Sequence, residues 1–197
     1  MRPSKPASYE ALVERRRDEL RMQLPRVLPQ REPFVWEIGS GHGHFLTAFA
    51  AAHPDVQCIG IDISLDRVSR AMRKQERAGL GNLHFLLADA ADFLAALPAA
   101  ARMRAVFILF PDPWPKRRHH KNRLLKPEFL SALAAAAERG APLYLRTDHE
   151  PYFREAEATI DDHAGWARSP GMPLPFEEPT VFQKRAPRHF TLVATRR

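Results

Sequence analysis

The chain has 197 residues, 45% of them hydrophobic, and a formal net charge of +7 at pH 7. This length suits one globular domain with a substantial core, and no apolar run approaches the roughly 20 residues that a membrane-spanning helix needs. The charged N-terminus lacks the apolar core of a signal peptide, and the single cysteine, Cys58, cannot form an internal disulfide. We therefore expect a cytoplasmic protein that contacts no membrane.

The positive charge is concentrated in three segments. Residues 1–31 carry eight Lys or Arg against four acids, residues 110–126 carry six against one, and residues 180–197 carry five against none. The remainder of the chain is therefore net negative. This segregation predicts a surface that binds a polyanion such as a nucleic acid. The alternative is a general arginine bias whose charge runs are solvated faces.

In chain order, the first predicted element is a basic amphipathic helix over about residues 9–23, which the prolines of PRVLPQREP end. Apolar strands then alternate with helices. The predicted strands are FVWEIG, VQCIGIDI, NLHFLLAD, RAVFILF and APLYLRTD, and a predicted helix follows each of them. Two more strand-like runs, TVFQKR and HFTLVATR, surround the turn-like APR near the end of the chain.

This alternation, with strands that are continuously apolar, predicts an α/β fold: a doubly wound, mostly parallel sheet covered by helices on both faces. We expect seven strands with an antiparallel last strand, in one domain over 32–197 that follows a basic N-terminal helix and linker over 1–31. Ligands of such sheets bind outside the carboxyl ends of the strands. Five acids fall at or just after these ends and should line one edge of the sheet: Glu37, Asp62, Asp89, Asp112 and Asp148.

The first strand leads into the glycine-rich stretch EIGSGHGHF. Its glycines at 39, 41 and 43 let the backbone turn sharply and approach a ligand. A dinucleotide fingerprint would need glycine at position 44, where His44 stands, so a nicotinamide or flavin site is disfavoured. Glu37 followed by alternate glycines resembles instead the nucleoside-binding loop of class I S-adenosylmethionine-dependent methyltransferases. His42 and His44 suggest a metal site, but no CxxC partner accompanies them, and exposed histidines are the simpler interpretation.

Two further acids suit a nucleoside. Asp62 closes the second strand, where an acid can accept hydrogen bonds from both ribose hydroxyls. Asp89 closes the third strand, where it could contact the adenine edge or amino group. Each acid also has a simpler interpretation, since aspartate is a favoured helix N-cap.

The fourth strand leads into FPDPWPKRRHHKNRLL, residues 110–125. Its three alternate prolines forbid regular structure, and we expect this rigid corner to hold Asp112 beside a methyl donor. Trp114 either stacks on a base or packs against the corner. The cations that follow would bind nucleic-acid phosphates, and the predicted phosphate contacts are Arg117, Arg118, Lys121 and Arg123.

This stretch closely resembles the signature of the bacterial tRNA (guanine-N7-)-methyltransferase family, of the form F-x-D-P-W-x-K-x-R-H-x-K-R-R. The resemblance extends over nearly the whole chain, through the glycine loop, GID, NLHFLLADAAD, RTDHEPYF and PTVFQKR. It implies transfer of a methyl group from S-adenosylmethionine to N7 of a tRNA guanine, at position 46 of the variable loop. We expect no metal, and a monomer or weak homodimer.

The resemblance also implies roles for single residues. The positions that line the S-adenosylmethionine site are Glu37, Gly39, Gly41, Asp62, Asp89 and Asp112, and Asp112 is also the catalytic candidate. The positions assigned to the substrate are Lys116, Asp148, Thr180 and Gln183. The family usually has glutamate where this chain has Gln183, which keeps an acceptor but loses the charge. The chain is also short before its first strand, where the family has an N-terminal extension.

The chemistry agrees with this resemblance. Guanine N7 is an exposed lone-pair acceptor, so its attack on a sulfonium methyl group needs alignment and electrostatics rather than a strong general base. Three other interpretations stay open: a methyltransferase with another acceptor, a non-catalytic RNA-binding protein, and a nicotinamide oxidoreductase. The segregated charge disfavours a small-molecule acceptor, the complete set of acids and glycines disfavours a non-catalytic protein, and His44 disfavours the oxidoreductase.

Overall fold

The computed structural model describes residues 9–28, 33–176 and 188–197. Its strands are β1 (Phe34–Ile38), β2 (Gln57–Asp62), β3 (Leu83–Leu87), β4 (Met103–Leu109), β5 (Pro142–Thr147), β6 (Trp166–Arg168) and β7 (Phe190–Arg196). They form one seven-stranded sheet of order β3-β2-β1-β4-β5-β7-β6. The strands β1 to β5 are parallel to their neighbours, whereas β7 is antiparallel to both β5 and β6. The predicted seven-stranded, mostly parallel sheet is confirmed.

The helices alternate with these strands and begin and end at local signals. They are α1 (Tyr9–Val27), α2 (His44–Ala52), α3 (Leu65–Ala78), α4 (Ala90–Ala96), α5 (Pro127–Ala136) and α6 (Glu150–Asp161), with a 3-10 helix over Arg117–Asn122. The hydroxyl of Ser64 caps α3, and Gly79 ends α3 with a φ of 64°, a left-handed conformation that glycine adopts readily. Within the described part of the chain, no helix is long and apolar enough to span a membrane.

Helices cover both faces of the sheet, as predicted. One face of the sheet packs against α1, α4, α5 and α6, through residues that include Leu24, Phe93, Leu130 and Ile160. The other face packs against α2 and α3, through residues that include Phe45 and Val68. All five residues of β1 are buried, because this central strand has a layer of helices on each side.

The helix α1 is longer than predicted. It continues through Pro25 to Val27, although the sequence predicted an end near residue 23. Leu20, Leu24 and Leu28, spaced four residues apart, are buried against the core, so tertiary packing outweighs the lost backbone donor of Pro25. The division of the chain at residues 31 and 32 stays a prediction; what the structure adds is that these leucines belong to the main core.

Two other predicted elements differ from the structure. The helix predicted after the third strand, over AADFLAALPAAAR, ends at Ala96, because Leu97 precedes Pro98 and adopts an extended conformation. The short strand β6 was not predicted, and its Trp166 is buried with Nε1 donating to the carbonyl oxygen of Leu130 at 3.0 Å. The strand predicted for TVFQKR lies outside the described residues.

Candidate active site

The five acids singled out from the sequence lie at one edge of the sheet. Their elements place them at the carboxyl ends of five parallel neighbouring strands, within β1, at the end of β2, and in the connections that follow β3, β4 and β5. They are Glu37, Asp62, Asp89, Asp112 and Asp148. The carboxyl edge of a doubly wound sheet is where ligands bind, so this edge is the candidate active site.

The glycine loop after β1 is fastened to the end of β2. The backbone N–H groups of Gly39 and Ser40 donate to the carbonyl oxygen of Ile61 at 2.9 and 2.8 Å. Gly39, Gly41 and Gly43 have φ values of 74°, 54° and 68°, which L side chains rarely adopt. A Cβ atom at Gly39 or Gly41 would contact nothing within 4 Å. The loop therefore presents backbone to open space, as a ligand that must approach the chain closely requires.

The carboxylate of Asp62 organises this loop. One oxygen accepts from the backbone N–H of Gly41 at 3.0 Å and the other accepts from that of Ser64 at 2.8 Å. Arg67 approaches the same carboxylate at 3.6 Å, and the Asp62 side chain is only 3% exposed. The helix cap that the sequence offered as an alternative role belongs to Ser64 instead. The hydroxyl groups of a ribose bound here would donate to the same carboxylate, either beside the two backbone N–H groups or in place of them.

Glu37 is the most deeply buried of the five acids. Burial raises the pKa of its carboxyl group to about 8, the nearby charge of Asp62 adds to this, and a backbone N–H donated by Leu46 opposes it. Its Oε2 is buried and has no hydrogen-bond partner among the residues that the structure describes. At neutral pH the group is therefore mostly protonated and can donate a hydrogen bond.

Asp89 is exposed and acts as the N-cap of α4. Its carboxylate accepts from the backbone N–H of Ala91 at 2.8 Å, so the capping role that the sequence allowed is present. Exposed apolar side chains lie at the same edge, with Ile63 76%, Leu65 65% and Leu87 45% exposed. Together they offer an apolar wall beside an acid, which suits a nucleoside base.

The corner after β4 carries Asp112 on a strained backbone. Phe110 and Trp114 have φ values of 53° and 47°, the positive values found at non-glycine positions of the described chain. Phe110 donates its N–H to the carbonyl oxygen of Arg146 in β5 at 2.7 Å. Asp112 is exposed, and Trp114 stands edge-on to His119, with ring centroids 5.8 Å apart. The carboxylate of Asp112 is thus held outside the sheet edge by a backbone with little freedom.

The basic segment that follows is mostly on the surface. Four of the predicted contact residues are exposed: Lys116, Arg117, Arg118 and Lys121. Arg123 differs from the prediction that grouped it with them, because its side chain is only 1% exposed. It donates to the carbonyl oxygen of Pro113 and to Glu155 of α6. The burial of this guanidinium and its two partners argue against the predicted phosphate contact.

The remaining substrate candidates are partly outside the described chain. Asp148 is exposed in the turn between β5 and α6, next to His149, whose ring nitrogen accepts from Tyr152 N at 3.2 Å and caps α6. Thr180 and Gln183 lie outside the described residues.

Sequence reasoning missed Arg146, a buried arginine at the end of β5 whose Nε donates to Thr191 at 3.2 Å. It lines a cavity of about 280 Å³ together with residues 169–174. The sequence signal that could have identified it is a cation within the otherwise apolar strand LYLRTD. A larger cavity of about 630 Å³ lies between α4 and α5, but none of the predicted site residues that the structure describes lines it.

Comparison with known proteins identifies the family. A family model described as "Putative methyltransferase" matches residues 31–184. The tRNA (guanine-N(7)-)-methyltransferase of Roseobacter denitrificans is 35% identical over 191 residues, which are 89% of this chain and 79% of that protein. The chain belongs to this methyltransferase family.

Other relatives of the same description are shorter matches. The protein of Alkalilimnicola ehrlichii is 37% identical over 73% of this chain and 63% of its own length. Matches to the proteins of Nocardia farcinica and a Synechococcus strain cover 48% and 55% of their lengths. The chain thus spans about half to two thirds of several methyltransferases that it matches.

Solved structures agree on the methyltransferase fold. An antibiotic-related methyltransferase superposes with a TM-score of 0.62 at 23% identity, covering 90% of this chain and 94% of that one. TrmN from Thermus thermophilus superposes with a TM-score of 0.59 at 17% identity, covering 90% of this chain and 48% of that one. At these identities the likeness establishes the fold, in agreement with the sheet order described above.

Proposed function

We propose that this chain transfers a methyl group from S-adenosylmethionine to N7 of a guanine in tRNA and so produces 7-methylguanosine. By resemblance, the guanine is the one at position 46 of the variable loop. One observation carries the proposal. The glycine loop follows β1 and the Asp112 corner follows β4, and these adjacent strands flank the point where the strand order reverses, which is the ligand-binding crevice of such sheets.

The residues around the glycine loop fit the methyl donor. The donor supplies an electrophilic methyl group on a sulfonium centre. Gly39 and Gly41 would let it approach the backbone, Asp62 would accept from the ribose hydroxyls, and Asp89 would contact the adenine end. Glu37 lies in β1, two residues before Gly39, with a buried carboxyl group, and the raised pKa of this group allows it to donate a hydrogen bond to the donor. No metal takes part in the proposed reaction.

The acceptor chemistry fits the position of Asp112. Guanine N7 already presents a lone pair, so the enzyme needs to place the base and stabilise the positive charge that develops on it. An exposed carboxylate can accept from the N1–H and amino group of guanine and can counter this charge. Asp112 is proposed as the catalytic residue on this basis, and it would also border the donor.

The exposed cations beside the corner fit tRNA as the partner. We assign phosphate contacts to Arg117, Arg118 and Lys121, and substrate contacts to Lys116 and Asp148. Thr180 and Gln183 are proposed for the substrate from the family resemblance. Lys and Arg that neutralise phosphates release counterions, so binding should weaken steeply with salt. A cytoplasmic monomer or weak homodimer remains the proposed state.

Product analysis tests the proposal. The purified chain is incubated with S-adenosylmethionine and an unmodified tRNA transcript, and the digested nucleosides are identified by mass spectrometry. We expect 7-methylguanosine from this transcript and none from a transcript whose target guanosine is replaced by 7-deazaguanosine. Donor binding without methylation of N7, on any tRNA of the source cell, would contradict the assignment and favour another acceptor.

A further inference from the structure

Arg123 occupies an unusual place in the basic segment. Its neighbours in the 3-10 helix point their charges to solvent, whereas its own side chain is 1% exposed. Its Nη2 atom is also buried and has no hydrogen-bond partner among the described residues, so the pairing of this guanidinium is through Nε and Nη1. A buried charge is tolerated only when it is paired and hydrogen-bonded, and the partners of Arg123 therefore indicate what it does.

Those partners come from the two sides of the candidate active site. Nε of Arg123 donates to the carbonyl oxygen of Pro113 at 2.9 Å, and Pro113 is the residue directly after Asp112. Nη1 donates to the carboxylate of Glu155 in α6. The guanidinium also lies over the ring of Tyr152, 5.2 Å from its centroid. Arg123 thus links the Asp112 corner to α6, the helix that follows Asp148.

The corner needs such a link because it lacks ordinary backbone support. Prolines at 111, 113 and 115 have no N–H to donate, and the positive φ values at Phe110 and Trp114 are conformations that surrounding contacts must maintain. A planar guanidinium with several donors can hold a carbonyl oxygen and a carboxylate at the same time, in a fixed relation. Lysine carries one point charge and does not reproduce this geometry.

We propose that Arg123 is a positioning residue that clamps the Asp112 corner to α6 and sets the place of the Asp112 carboxylate. The proposal rests on the function proposed above, because its effect on rate passes through Asp112. The link itself, between Pro113, Arg123 and Glu155, is independent of what the enzyme methylates. If Arg123 is replaced, the proposal predicts a lower methylation rate at saturating substrate. The affinity for the donor and the salt dependence of tRNA binding should be retained.

The first test compares Arg123→Lys with one control variant and with the wild type. Arg154→Ala is the matched control, because Arg154 also lies over an aromatic ring, 5.7 Å from the centroid of Phe153, and pairs with Glu157 at 3.0 Å, but is 64% exposed. Single-turnover methylation is measured with donor and tRNA saturating. Arg123→Lys should slow it roughly ten-fold or more, whereas Arg154→Ala should match the wild type. A wild-type rate for Arg123→Lys would overturn the proposal.

The second test separates the clamp from a phosphate contact. tRNA binding is measured against salt for Arg123→Lys and Arg123→Met, with Arg118→Ala as the comparison for an exposed cation. Removing a phosphate contact reduces the salt slope by roughly one, which we expect for Arg118→Ala. Arg123→Met should keep the wild-type slope. A reduced slope together with an unchanged saturating rate would return Arg123 to the set of phosphate contacts.

The third test measures the exposure of Trp114 in the Asp112 corner. Of the three tryptophans, Trp36 and Trp166 are fully buried, so acrylamide quenching of fluorescence reports mainly on Trp114. Arg123→Lys and Glu155→Gln should both increase this quenching, and Arg154→Ala should not. Glu155 is 40% exposed, so Glu155→Gln tests the clamp even if the arginine variants do not fold. Unchanged quenching in Glu155→Gln and in any folded Arg123 variant would overturn the clamp. If the wild type produced no 7-methylguanosine, only the proposed function would be overturned.

Discussion

Replacement of Glu37 by glutamine should remove a pH dependence of folding that the wild-type chain carries. Glu37 is 3% exposed in the central strand β1, and burial raises the pKa of its carboxyl group from 4.5 to about 8. Between these two values the folded protein holds a proton that the unfolded chain has released. The stability of the wild type therefore falls as pH rises through this window, and the fall ends above about pH 8.

The size of the effect follows from proton linkage. One proton held only by the folded state changes the free energy of unfolding by about 1.4 kcal/mol per pH unit. From about pH 5.5 to about pH 7, where the difference in proton binding is nearly complete, the wild type should lose roughly 2 kcal/mol. Glutamine has almost the same size and does not ionise, so Glu37→Gln should not show this loss.

Urea unfolding of both proteins at several pH values in this window measures the effect. Every other ionisable side chain is the same in both proteins, so the variant-minus-wild-type difference isolates Glu37. Glu128→Gln in α5 is the control, because Glu128 is exposed and water hydrates its carboxylate before and after unfolding. The free energy of unfolding of Glu37→Gln, minus that of the wild type, should increase as the pH rises. Parallel stability curves would refute the raised pKa and the burial argument behind it.

Three further substitutions test the packing of β2 against β3 and the roles of two acids. Gly60→Ala should destabilise the fold by about 1–3 kcal/mol, since its Cβ would lie 2.6 Å from ring carbons of Phe85; Gly81→Ala, with nothing within 4 Å, is the control in thermal unfolding. Asp62→Ala should weaken donor binding by about 2–3 kcal/mol in calorimetry and leave tRNA binding much less affected. If Asp62→Ala bound the donor as tightly as the wild type, the assignment of Asp62 to the donor site would be wrong. Asp112→Asn should slow single-turnover methylation roughly 100-fold with the fold retained, and a near-wild-type rate would refute a catalytic Asp112.

The sheet and its functional edge were predictable because the signals are local. The strands β1, β2 and β4 are mostly buried, which appears in the sequence as largely apolar runs. Parallel pairing then follows from the helices between them, and the position of the acids follows from parallel pairing. Each step needs only neighbouring residues and the geometry of a doubly wound sheet.

The parts that sequence reasoning missed depend on distant contacts. The strand β6 has only three residues and is defined by its pairing with β7, which no short pattern reveals. The extension of α1 through Pro25 depends on the burial of Leu24 and Leu28. Arg123 was grouped with its charged neighbours, but its burial depends on Glu155, 32 residues further along the chain.

The strain in the Asp112 corner agrees with a reaction that depends on placement. Each non-glycine residue in the left-handed region, here Phe110 and Trp114, costs about 1–2 kcal/mol. Such strain persists only where the surrounding structure enforces it. A nucleophile that already carries its lone pair gains little from a base and much from alignment. On the proposed function, the prolines, the strained residues and the Arg123 link to Pro113 set the position of Asp112 before tRNA arrives, so that the neighbouring cations need only bring the guanine to it.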